Sequence, residues 1–291
     1  MLSAVAVWRA VLCLVAAFNV VAWFLSRAAL KEARTGLPAG SYDARRLQLI
    51  CSAAYVFGCA FRSVFLVFDI PRMVLTDSWI SSVAVGRSVA TIAELSFAAQ
   101  WALFLLQSAR TTGSHFVRVA SRAVVPMIAV AECCSWSAVL TTDNLGHVAE
   151  NSLWGLTAAL VLCCMFAIRA DWKPERRRML LTWCVTGVAY VAFIFSADVP
   201  SYWVRWLTDE DGARHYLSIA QGLHDVSNRW VVSYRWADWK SEVAWMSAYF
   251  SVGVWVSISL TYVSARAVFG SEGRPFLPGS RWTAGRSRLF G

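Results

Sequence analysis

The chain of 291 residues is 58% hydrophobic and 15% charged, with a mean hydropathy of +0.50 and a formal net charge of +9. Soluble domains carry about a quarter charged residues, so this composition excludes an ordinary water-soluble fold and points to an all-α, polytopic membrane protein. The surplus positive charge lies in connections and in the tail. Topology and attraction to anionic lipid account for it there, and no nucleic-acid partner is expected.

A bilayer core about 30 Å thick takes roughly 20 apolar residues per helical crossing. The first stretch that meets this requirement runs from 4 to 26 and is followed by Arg27, Lys31, Arg34, Arg45 and Arg46. A cleaved secretory signal would leave that flank on the far side of the membrane, so the run reads as a retained span. The second stretch, 47 to 70, carries Arg62. The third, 83 to 107, carries Arg87, Thr91, Glu94, Ala98 and Trp101 at spacings of three and four, which places them on one helix face. In the fourth, 119 to 142, Glu132, Ser135, Trp136 and Val139 form a similar stripe.

The chain then turns through Asp143 and Asn144 into the fifth stretch, 148 to 168, with His147 and Glu150 three residues apart at its start. The sixth, 179 to 198, ends on Asp198, and a long connection from 199 to 243 leads to the seventh, 244 to 265. Connections of that length have structure or function of their own. Residues 214 to 224 can form a short helix, and "RWVVSYRW" reads as extended. Its Trp and Tyr residues suit a cover lying on the membrane surface, a lid over whatever polar site lies beneath. Residues 1 to 268 thus form a single seven-helix transmembrane domain, and 269 to 291, rich in Gly, Pro and Arg, read as a basic, disordered cytoplasmic tail.

Lys and Arg gather in the first, third and fifth connections and in the tail. The fourth connection has none, the second has little beyond Arg72, and the sixth balances its basic residues with acidic ones. The positive-inside rule then gives an N-out, C-in multi-pass protein with anionic lipid at its basic loops and tail. All eight cysteines fall within expected spans and none in an outer loop, which argues against a disulfide framework.

An ionisable group at mid-bilayer costs a few kcal/mol, so Arg62, Arg87, Glu94, Glu132, Glu150 and Asp198 are each candidates for function. Two readings compete. In one, Arg62 and Arg87 neutralise Glu94 and Glu132 in a structural network that fixes helix register. In the other, Arg62, Arg87, Glu94, Glu132, Asp143, Asn144, His147, Glu150 and Asp198 line an outward-facing pocket that binds or processes a lipid or other amphiphile by its polar head, with His147 and Glu150 at its rim. The tail of that ligand would lie against the apolar inner half. Asp143 and Asn144 are also ordinary turn residues, and Glu150 suits a helix N-terminus.

His147, Glu150 and Glu132 offer the mixed nitrogen and oxygen donors that a divalent metal such as zinc accepts. A transporter or proton-coupled sensor working through Glu94 and Glu132 is the alternative function, and a scaffold without a small-molecule site is the third. Transport needs a polar path to the inner side, where only Gln100, Ser257, Ser259 and Thr261 stand out. The last span holds no lysine for a retinal, and no histidine follows His224. The motifs of microbial rhodopsins and of the alkaline ceramidase and adiponectin-receptor superfamily are therefore not met.

Overall fold

The computed structural model describes residues 3–37 and 39–263, so the expected tail from 269 to 291 lies outside the described residues. Among them, seven helices are long and apolar enough to cross a membrane. The elements are α1 (Ala4–Glu32), α2 (Ala39–Val64), β1 (Val67–Phe68), β2 (Met73–Val74), α3 (Val83–Thr112), α4 (His115–Thr141), α5 (Asn144–Ala167), α6 (Pro174–Phe193), α7 (Val199–Asp211), α8 (Ile219–Asn228), β3 (Val231–Val232), α9 (Trp236–Trp239), α10 (Val243–Ala248) and α11 (Val254–Thr261). The protein is an all-α bundle of the multi-pass membrane class.

Polar residues at the helix starts satisfy backbone N–H groups that have no partner within the helix. Ser82 caps α3 through Val85 N, Ser114 caps α4 through Val117 N, and Asp143 caps α5 through Leu145 N at 2.9 Å. Pro174 opens α6, where its missing N–H costs nothing. Large apolar side chains point away from the bundle, among them Leu14 (71% exposed) and Phe18 (64%), as a lipid-facing surface requires.

Consecutive helices from α1 to α6 pack side by side, and α11 returns to pack on α2 and α1. Three apolar clusters fill the interior among the described residues, the smallest being Val67, Val74, Val83, Val139 and Val226 beneath the cap. Of the two larger clusters, one holds Phe104, Leu105, Ile128, Met165, Leu180 and Trp183 from the third to sixth spans, and the other holds Trp8, Trp23, Tyr55, Phe250 and Val254 from the first, second and seventh. The spans interlock through uncharged polar groups as well. Gln100 donates to the backbone of Gln48 at 3.0 Å and of Ser257 at 3.1 Å, Gln48 donates to the backbone of Gln100 at 2.9 Å, and the Ser257 hydroxyl donates to Gln100 Oε1 at 2.6 Å.

Most helices run a few residues past the expected apolar stretches, and two boundaries depart for identifiable reasons. The second span ends at Val64 rather than 70, because Val67–Phe68 leaves the helix to pair antiparallel with Met73–Val74. The sixth does not stop at Asp198: a π-turn over Ile194–Asp198 leads straight into α7, carrying the helix to Asp211. Apolarity marks where a helix leaves hydrocarbon, whereas the helix itself continues as long as its backbone bonds do. A second π-turn, Tyr249–Gly253, joins α10 to α11.

The connection after α7 folds back over one end of the bundle as a cap. Its strand β3 pairs in parallel with β2, and α8 lies against the ends of α3 and α4. The expected short helix forms over Ile219–Asn228, somewhat later than 214 to 224, while Val231–Val232 is extended as expected. Gly222 permits the docking, since a Cβ there would lie 2.1 Å from Leu140 O. Arg72 clamps the cap from below: Nε pairs with the Asp225 carboxylate, and Nη1 donates to Val139 O at 3.1 Å.

Candidate functional site

Beneath the cap, one guanidinium gathers three carboxylates from three spans. Arg87 Nη2 lies 3.2 Å from Glu94 Oε2, 2.9 Å from Glu132 Oε2 and 3.0 Å from Glu150 Oε1. All four residues are buried, Glu132 being the least exposed at 3%. The helical stripes explain the meeting. Arg87 and Glu94 are two turns apart on one face of α3, and Glu132 and Glu150 project from the antiparallel pair α4 and α5, which pack on it.

A guanidinium NH₂ has two hydrogens, so it cannot serve three carboxylates with full bonds at once. Other donors complete the shell. The Thr91 hydroxyl donates to Glu132 Oε2 at 2.6 Å while itself accepting from Trp136 Nε1 at 3.0 Å, and the Tyr249 hydroxyl donates to Glu94 Oε1 at 2.8 Å. His147 Nδ1 is 2.7 Å from Glu150 Oε2; an ionised carboxylate only accepts, so the imidazole donates there. One guanidinium against these three carboxylates, with Asp69 Oδ2 a fourth at 3.8 Å from Nη1, leaves an excess of negative charge, to be balanced by His147, by protons or by a bound cation.

A chain of contacts runs from the cluster to the other helices. The His147 ring lies 4.9 Å from the Tyr202 ring, Arg205 lies 4.9 Å over that same ring, and Arg205 reaches Glu242 at 3.4 Å. The cluster opens on a cavity of about 680 Å³ between the second to seventh spans. Arg62, Asp69, Arg87, Glu94, His147, Glu150, Asp198 and Glu242 line one part of it, and Trp101, Val124, Ile128, Val161, Met165 and Trp183 line the other.

The structure sorts the residues expected from the sequence. Arg87, Glu94, Glu132, His147 and Glu150 meet in one network. His147 and Glu150 were expected at the rim, but they are 5% and 6% exposed, because α7 packs on α5 over them. Arg62 lines the cavity without joining the ion pairs. Its Nε is buried and has no hydrogen-bond partner among the described residues. Asp198 lines the cavity from the π-turn. Asp143 serves as the α5 cap, and Asn144 donates to Asp209 Oδ2 at 2.8 Å, outside the cavity lining.

As for a metal, oxygens of Glu94, Glu132 and Glu150 come within 4.8 Å of one another, but the Arg87 guanidinium already bridges them and His147 Nδ1 is engaged by Glu150. A zinc ion held by His147, Glu150 and Glu132 would have to displace those contacts.

Sequence reasoning missed Asp69, Tyr202, Arg205, Glu242 and Tyr249. For two of them a signal was present: Glu242, Trp245, Tyr249, Val252 and Val256 recur at spacings of three and four, and all line the cavity. Arg205 and Tyr202 gave none, because they stand on a helical extension that hydropathy alone does not show. Compared with protein-family models, with curated proteins and with solved structures, the chain matches none of them.

Proposed function

We propose that this protein binds a lipid or other amphiphile inside the membrane, with the polar head at the Arg62, Arg87 and Glu94 end of the cavity and the hydrocarbon chain in the apolar arm. The observation that carries this reading is the two-part lining of one continuous space of about 680 Å³, charged at one end and aromatic and aliphatic at the other. A small polar solute would leave the apolar arm unfilled, and a pure hydrocarbon would leave buried charges without partners. In this reading the head lies toward the outer leaflet, because basic connections flank the opposite end of the bundle and set N-out, C-in.

Mass spectrometry of the protein released intact from mild detergent tests the proposal. The wild type should carry a stoichiometric amphiphile. Ala158→Trp, which fills the apolar arm without touching the charged end, should lose it while remaining folded. A wild type that is empty after extraction from native membrane, and that no class of added lipid stabilises against heat, would sink the reading. Orientation has its own check: cysteines at Ser78 and Asp211 should react with an impermeant thiol reagent from outside intact cells, and protection of both would reverse the assignment.

A proton-coupled role is the second reading, favoured by the three carboxylates that share Arg87. Against a transport path stands the opposite half of the bundle, where Gln100 and Ser257, both 0% exposed, bond to neighbouring helices rather than line a channel.

A further inference from the structure

We infer that the cavity is reached sideways, from the hydrocarbon of the bilayer, through a slot between the sixth and seventh spans, so that the ligand is a bilayer-resident lipid. This rests on the amphiphile reading above and says where such a ligand comes from.

The sixth span packs on α5, and the seventh packs on α1 and α2. Among the described residues, α6 and the α10–α11 segment do not pack closely on each other along their length, although both line the cavity. What spans the gap is aromatic. Trp245 lies 6.4 Å from Phe193, with the rings nearly parallel at 4°, and 6.4 Å from Tyr190. Counted along the helices from these pairs, an antiparallel register sets Ala189 across from Ala248 and Val185 across from Val252.

Those four side chains are small, each lines the cavity, and each is exposed, Val185 at 69% and Val252 at 37%. Exposure of that size, where neither helix packs closely on the other, fits a wall that is open or one residue thick there. The slot falls in the middle of the apolar run 179–198 and within the last span, so hydrocarbon and not water lies outside it. The rings of Trp245, Phe193 and Tyr190 form a lintel between the slot and the charged end.

The backbone beside the slot is adapted to it. Each flanking helix carries a π-turn, Ile194–Asp198 in one and Tyr249–Gly253 in the other. Such turns are uncommon and gather at functional sites. In the seventh span the π-turn includes Gly253, where a Cβ would lie 2.6 Å from the Tyr55 hydroxyl oxygen; the helix is drawn toward α2 there, away from α6. On the far side Asn19 donates to Phe250 O at 2.9 Å, supplying a partner for a carbonyl within the turn. An acyl chain can lie through this slot while the head passes the lintel to Arg62 and Glu94. A water-soluble ligand has no reason for such an opening.

The test is lipid exchange in vesicles of phosphatidylcholine with one-tenth phosphatidylglycerol. Protein loaded with chain-deuterated lipid is mixed with unlabelled vesicles, and the bound species is followed by intact-complex mass spectrometry. Ala189→Trp and Ala248→Trp, placed on opposite walls at exposed positions, should each slow exchange at least tenfold. Val188→Trp, on the same helix and exposed but not lining the cavity, should exchange like the wild type. Unchanged exchange in both slot variants, with lipid bound to the wild type, overturns the slot and leaves the amphiphile reading standing. A wild type that never acquires labelled lipid overturns both.

Discussion

Two polar clusters are buried in this bundle, and they are built on different terms. The Gln48, Gln100 and Ser257 knot is neutral. Its donors reach backbone carbonyls and one another across three spans, and Gln100 and Ser257 are wholly enclosed. The Arg87 cluster is charged, carries more carboxylate than its one guanidinium can satisfy, and borders a cavity. Glu132 Oε1, Arg87 Nε, Asp69 Oδ1 and Arg62 Nε remain buried without hydrogen-bond partners among the described residues, against Gln48 Oε1 alone in the neutral knot. The first arrangement suits fastening. The second is costly as architecture, and a cluster left incomplete beside an open space is where a ligand's head group would supply what is missing.

The comparison breaks first at Arg87. Arg87→Leu leaves three carboxylates without their shared cation and should cost about 3–5 kcal/mol, read as thermal unfolding in detergent or as failure to accumulate. A loss under about 0.5 kcal/mol, the size of an ordinary surface change, would mean that the cluster is neutral already and that the guanidinium is incidental.

Gln100→Leu should cost less, about 1–2 kcal/mol, since it removes several neutral interhelical bonds. It should leave binding of the proposed amphiphile unchanged. Loss of ligand in this variant would merge the two clusters into one functional unit and end the contrast.

His147→Ala removes one hydrogen bond to Glu150 and a ring contact with Tyr202, worth about 1 kcal/mol of stability. Its larger consequence should be a weakened hold on the ligand, measured as a shortened lipid residence time at unchanged expression. Metal analysis of this variant and the wild type separates the remaining case: stoichiometric zinc in the wild type, lost with His147, would return the cluster to metal chemistry.

The smallest effect belongs to Glu94→Gln. The change keeps the side-chain volume and an oxygen for the Tyr249 hydroxyl, and removes one negative charge from a crowded set. Because the surplus of carboxylate offsets the lost pairing with Arg87, thermal stability should move by less than about 1 kcal/mol, the net worth of one hydrogen bond, in either direction. A loss as large as that of Arg87→Leu would show that every carboxylate is needed in its ionised form, and the cluster would then be a balanced structural network.

The residue pattern already contained the membrane class, the number of spans and the helix faces bearing Arg87, Glu94 and Glu132. Each follows from local causes: hydrocarbon demands about 20 apolar residues per crossing, and a 3.6-residue repeat puts positions three and four apart on one side. It also contained the short helix and the extended run of the cap, displaced by a few residues. Tertiary structure decided the rest. Which carboxylate meets which guanidinium depends on helix rotation and depth, and here Arg87 takes Glu94, Glu132 and Glu150 while Arg62 joins none of them. His147 and Glu150 are buried by a helical extension that lies far away in sequence. The gap between the sixth and seventh spans is likewise invisible along the chain, because a small side chain reads the same whether it permits close packing or leaves a slot, and only the position of the neighbouring helix tells which.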